Sequence, residues 1–327
     1  MKSRLLMALC VPLLLLFSAC AAPAEPISGV GYYFDTVVTI TLSGGSQELL
    51  TELWQACGRY ERLLSKTIDG SDIDRINRAG GQPVAVDPET WAILRRAKEI
   101  SAMTDGAFRV TIAPLSALWD FTSGAMRMPT DQERLAALPL TDDSRLILGD
   151  GGTVTLPAGM QLDLGGIAKG YIADQLARMV REQGVTGTLN FGGNVYAVGA
   201  KDGGSPYRIG IADPAQPGQA IAVVSVRDAS VVTSGTYERC FTRDGVTYHH
   251  ILNPATGLPA DTGIVSATIV SASSMDADAL ATACVVLGRE KALALLEREG
   301  YDGLLIDAQG EAQATKGFAE RYGLALR

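Results

Sequence analysis

Thr188-Leu189-Asn190-Phe191-Gly192-Gly193-Asn194-Val195-Tyr196-Ala197-Val198 is the first strand candidate of a β-rich block that runs from Thr186 to Ser271. Four more candidates lie within it, at Tyr207 to Ile211, Ile221 to Val226, Val231 to Thr233 and Ile264 to Val270. Helical periodicity lies on either side of this block. Upstream, Leu49, Leu53, Cys57, Tyr60 and Leu64 fall on one helix face, and a second helix is expected from about Glu89 to Thr104, between Pro88 and Gly106. A third is opened by Gly165 and Gly166, presents Ile172, Leu176, Met179 and Val180 on one face, and stops at Gly184. Downstream, Ser273 and Asp276 have capping-box spacing for a helix that ends by Gly288. A short helix around Lys291 to Glu299 and a strand at Leu304 to Asp307 finish the pattern. Near the start, Val38, Ile40 and Leu42 alternate with threonines up to Ser43-Gly44-Gly45, as in a half-buried strand. No regular βαβ period links these elements. The fold class expected is therefore α+β, one intertwined unit with mainly antiparallel sheet and packed helices.

The 327 residues carry 28 Lys+Arg against 36 Asp+Glu, a formal charge of -8. An acidic balance excludes a nucleic-acid binder, since no basic surplus exists to displace counterions from phosphates. Hydrophobic residues at 47% and charged residues at 20% exclude disorder over most of the chain. Lys2 and Arg4 precede an apolar run from Leu5 to Phe17, too short to span a bilayer and typical of a signal-peptide core. Cys20, after Ser18 and Ala19, resembles the lipidated cysteine of a bacterial lipoprotein. These features divide the chain into a signal peptide (1–19), a lipidated Cys20 with a tether (20–29) and a catalytic unit (30–327). They place the protein on the outer face of a cell membrane, held by its lipid. Beyond Cys20, only Cys57, Cys240 and Cys284 remain, which makes neither a disulfide framework nor a zinc pattern, so buried thiols are expected.

With only His249 and His250 in the chain, a multi-histidine metal centre is excluded, and no Walker-type phosphate loop is present. Any metal is expected on oxygen. Asp278 and Thr282, four apart on one helix face, offer a carboxylate and a hydroxyl to one cation with open positions, which suits Mg2+ better than a caged Ca2+. Asp163-Leu164-Gly165-Gly166-Ile167-Ala168-Lys169-Gly170 comes after a strand-like stretch, Thr153 to Leu162, and combines backbone N–H groups at a helix start with a lysine. That combination cradles a phosphate or pyrophosphate, or else forms a tight turn beside a solvated lysine. Phe191-Gly192-Gly193-Asn194 and Thr233-Ser234-Gly235-Thr236-Tyr237 are glycine-punctuated strand ends that either admit a flat ligand or form bulges and turns. His249 and His250 would point to opposite faces of a strand, so at most one serves a given site, and His250 is the candidate.

Together these stretches resemble the ApbE family, the FAD:protein FMN transferases. The others that match in family order are Phe34-Asp35-Thr36, Ser65 to Asn77, Thr104-Asp105-Gly106-Ala107-Phe108, Leu118-Trp119, and His249 to Gly257. The resemblance implies an enzyme that uses Mg2+ to move the FMN half of FAD onto a Ser or Thr hydroxyl of an acceptor protein, releasing AMP. The acceptors it implies are subunits of sodium-pumping NADH:quinone reductases, Rnf-type complexes or other extracytoplasmic flavoproteins. Carried over by position, FAD contacts fall at Phe34, Thr67, Ala107, Phe108, Arg109, Asp163, Lys169 and Leu252. The metal falls to the side chains of Asp278 and Thr282 and the main-chain oxygen of Gly166. His250 is then the candidate for assisting deprotonation of the attacking hydroxyl. Phe34-Asp35-Thr36 replaces a commoner Met-Gly-Thr, Thr67 stands where an aromatic residue often stacks on flavin, and Arg109 replaces a usual aspartate, adding charge toward the ligand. Two alternatives stay open: water as the nucleophile, which would make the protein an FAD pyrophosphatase, and a non-catalytic flavin-binding lipoprotein. Cys20→Ala is expected to release the protein from the membrane fraction, and continued sedimentation with membranes would contradict the lipid anchor.

Overall fold

A computed structural model describes residues 25–121 and 126–326. The expected signal peptide and the expected lipidated Cys20 lie outside the described residues. Among those described, eight strands make one antiparallel sheet. Its order is Ile27–Tyr33, Thr36–Ser43, Thr186–Phe191, Asn194–Val198, Ala229–Gly235, Ile264–Ser271, Asp302–Asp307 and Ala312–Ala314. The α+β expectation therefore holds. The strand Ile27–Tyr33 takes in Ile27, Ser28 and Gly29, which the sequence pattern assigns to the tether. It pairs with Thr36–Ser43 across a tight turn at Phe34 and Asp35, both at positive φ (55° and 56°). That conformation suits the twist of a two-residue hairpin but costs a non-glycine residue about 1–2 kcal/mol.

The stretch expected as one strand, Thr188 to Val198, is two. Gly192 and Gly193 both adopt positive φ (59° and 100°), so the chain folds back and Phe191 pairs with Asn194. A Gly-Gly pair reaches such a turn without steric cost, and that freedom turns an apparent continuous strand into a hairpin. Thr153 to Leu162 is strand only over Thr153–Thr155. Pro157 and Gly159 interrupt its second half.

The central strands are buried on both faces, and side-chain alternation assigns each residue to one layer. Val232, Ile269 and Leu305 pack toward the helices. Their neighbours Val231, Val270, Leu304 and Ile306 pack the opposite way, against Tyr207, Ile211, Val224 and Val226 of a three-stranded sheet and against Phe318. On the helical side lie Gln47–Leu64, Ala168–Glu182 and Ser274–Leu287. Gln47–Leu64 buries the predicted face of Leu49, Leu53, Cys57, Tyr60 and Leu64 and is capped by Ser46. Pro88–Met103 starts at its proline, as expected, behind an Asp87 cap. Ala168–Glu182 begins three residues after Gly165, so the glycine pair forms the turn that precedes the helix rather than its first residues. Cys57 and Cys284 are both fully buried, in line with the expected buried thiols, whereas Cys240 is exposed.

The helix Ser274–Leu287 has apolar burial all round: Ala277, Leu280, Ala281, Ala283, Cys284 and Val285 are all inaccessible. Burying each large aliphatic chain contributes about 1.5–3 kcal/mol, which offsets the ordering of this central rod. Its polar residues therefore need partners or a purpose. Phe318 is the keystone of the opposite layer and is fully buried. Phe318→Ala should lower stability by about 3–5 kcal/mol in urea unfolding, and a loss below about 1 kcal/mol would show that the small sheet is held by other contacts.

Candidate active site

Two helices meet where the glycine turn ends. A Cβ on Gly170, early in Ala168–Glu182, would lie 2.2 Å from the carbonyl oxygen of Ser274, so only glycine permits this approach. The contact brings the Gly170 N–H to Asp278 Oδ2 at 3.0 Å. Asp278 is almost fully buried, and its other oxygen, Oδ1, has Lys169 Nζ at 3.9 Å, beyond hydrogen-bonding range. The other acidic residue of the helix, Asp276, is fully engaged by Arg96 at 2.8 Å and by the Tyr301 hydroxyl at 2.8 Å. For that reason Ser273 caps the helix through Asp276 N–H at 3.2 Å, but the reciprocal half of the expected capping box does not form. Asp278 alone is buried with half its hydrogen-bonding capacity open, an arrangement that favours a cation.

One turn further on, Thr282 Oγ1 lies 3.2 Å from Ser234 Oγ. A Cβ on Gly166 would stand 3.6 Å from the same hydroxyl and 3.2 Å from Phe108. The structure therefore brings together Asp278, Thr282, Gly166, Lys169 and Phe108, and adds Ser234 from a glycine-punctuated strand end. Among the described residues, no group of three or more His, Cys, Asp or Glu side chains could hold a metal. A carboxylate, hydroxyls and a main-chain oxygen fit a hard cation that keeps water or substrate oxygens on its remaining positions. Mg2+ is such a cation.

Asp163 accepts from Lys66 Nζ at 2.7 Å and from Gly165 N–H at 2.8 Å. Burial would raise its carboxyl, but Lys66, the Gly165 N–H and Lys169 outweigh burial and hold it below the usual carboxylate range. Lys169 Nζ also bonds Gly165 O at 2.8 Å, so the lysine closes over the glycine turn. Lys66 is not among the expected site residues, although it lies in the matching stretch Ser65 to Asn77. It sits in an exposed loop without periodicity, beside Thr67, which is likewise exposed and bonds Ser65 Oγ through its N–H at 3.1 Å.

Phe34 sits at the strained hairpin turn with its N–H on Glu61 Oε1 at 2.7 Å. Ala107 and Phe108 are buried, and Asp143 braces the chain just beyond them by accepting Val110 N–H at 3.1 Å and Thr111 N–H at 2.9 Å. Burial pushes the Asp143 carboxyl up even so. Arg109 is held by main-chain carbonyls. Its guanidinium donates to Gly106 O at 3.0 Å and to Thr141 O, tying its loop to the segment around Thr141. Leu252 is buried in a satellite cluster with Leu115, Trp119 and Phe241, and does not join the Asp278 group.

The two histidines have different surroundings. His249 is buried with Nε2 3.0 Å from Ala260 O, and its Nδ1, like that of His250, has no protein partner. His250 places its N–H on Arg239 O at 3.0 Å, while its buried Nδ1 has no protein partner. Burial, then the charges of Arg239 and Lys169, push the His250 imidazole down to about 4. It is therefore neutral at pH 7.

A model of the ApbE family matches residues 34–305. The chain belongs to the ApbE family. It is 40% identical over 291 residues to the FAD:protein FMN transferase of Treponema pallidum, covering 83% of this chain and 80% of that protein. It resembles the ApbE protein of Thermotoga maritima with a TM-score of 0.85 at 32% identity, over 90% of this chain and 99% of that one. For the flavin transferase ApbE from Vibrio cholerae the TM-score is 0.82 at 30% identity, over 91% and 99%. The ApbE match spans every site residue described above, from Phe34 to Thr282.

The depressed His250 value has a measurable consequence. In the ligand-free protein, the His250 imidazole resonance should stay in its neutral position from pH 8 down to about pH 5 and move only near pH 4. Because the unfolded chain takes up a proton near pH 6.5 that the folded site refuses, this residue should lower stability as pH falls from 6.5 toward 4. An NMR midpoint above 6 would contradict the described environment.

Proposed function

We propose that this ApbE protein moves the FMN half of FAD onto a Ser or Thr hydroxyl of an acceptor protein and releases AMP, using Mg2+. Its relatives named FAD:protein FMN transferase support the enzyme class. One observation carries the chemistry: the half-open carboxylate of Asp278 and the Thr282 hydroxyl converge on a glycine turn held under Lys169. The pyrophosphate of FAD is the ligand with the charge and reach to lie between them. Its oxygens would take the positive side from Lys169, with Lys66 close by on Asp163, and the N–H groups at the helix start. Asp278, Thr282 and the Gly166 carbonyl would hold Mg2+, which when bound neutralises phosphate charge and steadies the leaving group.

In the step itself, the acceptor hydroxyl oxygen forms a bond to the phosphorus of the FMN half. The bond from that phosphorus to the bridging oxygen breaks, and AMP leaves with that oxygen. The hydroxyl proton would pass to the imidazole of His250. Phe108, beside Gly166, walls the site with an apolar ring. The remaining work is positioning, which accounts for a site with few titratable groups. The acceptors proposed are extracytoplasmic flavoproteins, among them subunits of Rnf-type and sodium-pumping NADH:quinone reductase complexes. The protein would meet them from a membrane anchor at Cys20; among the described residues, no helix is long and apolar enough to cross a bilayer itself.

Incubation with FAD and Mg2+, with and without an acceptor carrying a target Ser or Thr, tests the reading. A fluorescent acceptor band is expected only when all three are present. Equal FMN release with and without acceptor would point to an FAD pyrophosphatase instead. Asp278→Ala should reduce transfer by more than about 100-fold, beyond the 10–100-fold typical of residues one layer removed from a metal. Thr282→Ala should raise the Mg2+ needed for half-maximal rate. Unchanged turnover in both variants would remove the metal assignment.

A further inference from the structure

Asp174 lies one turn beyond Gly170 on Ala168–Glu182, and its carboxylate reaches across to the other helix. Oδ1 accepts the N–H of Ser274 at 2.7 Å and Oδ2 that of Met275 at 2.9 Å. These are the first two residues of Ser274–Leu287, the helix that carries Asp278 and Thr282. That helix has its own cap in Ser273, whose hydroxyl takes the next N–H, that of Asp276, at 3.2 Å. Asp174 is thus a second cap, supplied by the helix on the far side of the glycine turn.

We propose that Asp174 is a positioning residue for the metal pair, a reading that rests on the function proposed above. With the Gly170 N–H on Asp278 Oδ2 it forms a two-point clamp between the helices. One point sets their spacing, and the other sets the rotation and register of the helix bearing Asp278 and Thr282. The distance from those two side chains to the Gly165-Gly166 turn then cannot drift. Bidentate contact with two successive N–H groups fixes direction as well as distance, which a single hydroxyl cap does not.

The energetics agree. Burial raises the Asp174 carboxyl to about 6 despite its two N–H partners, with Asp276 nearby opposing its charge and Arg181 favouring it. Asp276 is itself neutralised by Arg96, and Arg181 is paired with Asp228 at 2.9 Å while also reaching the Tyr196 hydroxyl. A folded carboxyl raised above its unfolded value favours its protonated form, so keeping it ionised at neutral pH lowers stability. An ionised residue that costs stability at this junction is explained by what it aligns.

Asp174→Asn tests this, because the amide keeps the shape and one acceptor but turns a donor toward the second N–H. Mg2+ binding is read by calorimetry in the presence of FAD, alongside a thermal melt and the Mg2+ dependence of transfer. The expected result is a cooperative melt, about 10–100-fold weaker Mg2+ binding, and recovery of rate at high Mg2+. Ser273→Ala, which removes the helix's own cap without touching the clamp, should lower the melt and leave Mg2+ affinity within about twofold. Equal Mg2+ affinity in Asp174→Asn and the natural protein would overturn the proposal. So would an Asp174→Asn protein without a cooperative melt, since the carboxylate would then be a structural cap. If the natural protein binds no Mg2+ in the presence of FAD, the functional reading itself falls.

Discussion

Gly170 lacks a side chain, and the site exists because of it. With the Ser274 carbonyl 2.2 Å from where a Cβ would stand, any other residue would push two helices apart. The Gly170 N–H would then leave Asp278, and a buried carboxylate without that donor would be still more costly to keep charged. The three-layer packing serves the same end. The helix Ser274–Leu287 is walled by apolar contacts on nearly every side, so Asp278 and Thr282 sit on a rigid rod rather than a loop. The placement of these two side chains is set by the core and not by flexible surface chains.

The site is electrostatically asymmetric. Lys66, Lys169 and Arg239 supply positive charge on a chain whose overall charge is -8. Lys66 and Lys169 thus concentrate positive charge at the glycine turn despite the acidic balance of the whole chain. Burial, then Arg239 and Lys169, push the His250 imidazole down, while Lys66, the Gly165 N–H and Lys169 hold the Asp163 carboxyl below its usual range against burial.

Much of this is legible in the residues. The four-residue spacing of Asp278 and Thr282, the apolar face from Leu49 to Leu64, and the cap at Ser273 each arise from local periodicity, and each stands as expected. The features that are not legible depend on contacts between distant segments. Lys66 meets Asp163 from 97 residues away along the chain, and the bond from Arg109 to Thr141 O is equally invisible in local sequence. The hairpin at Gly192-Gly193 is hidden because apolar alternation continues on both sides of the turn. The edge strand Ile27–Tyr33 is masked by glycines that thin its pattern, at Gly29 and Gly31, where the Trp54 ring packs instead of a Cβ. Asp174 looks like an ordinary helical carboxylate, and only the crossing of the two helices gives it a role.

The thiols carry a consequence of their own. Cys57 and Cys284 are sealed in the interior, and burial pushes both up to about 12. Thiol exchange needs a thiolate that can reach a partner, and these two supply neither ionisation nor access. Once folded, the protein can sit in an oxidising compartment without scrambled cross-links involving either cysteine. Cys240, at the surface, is then the described position where an oxidant would act first.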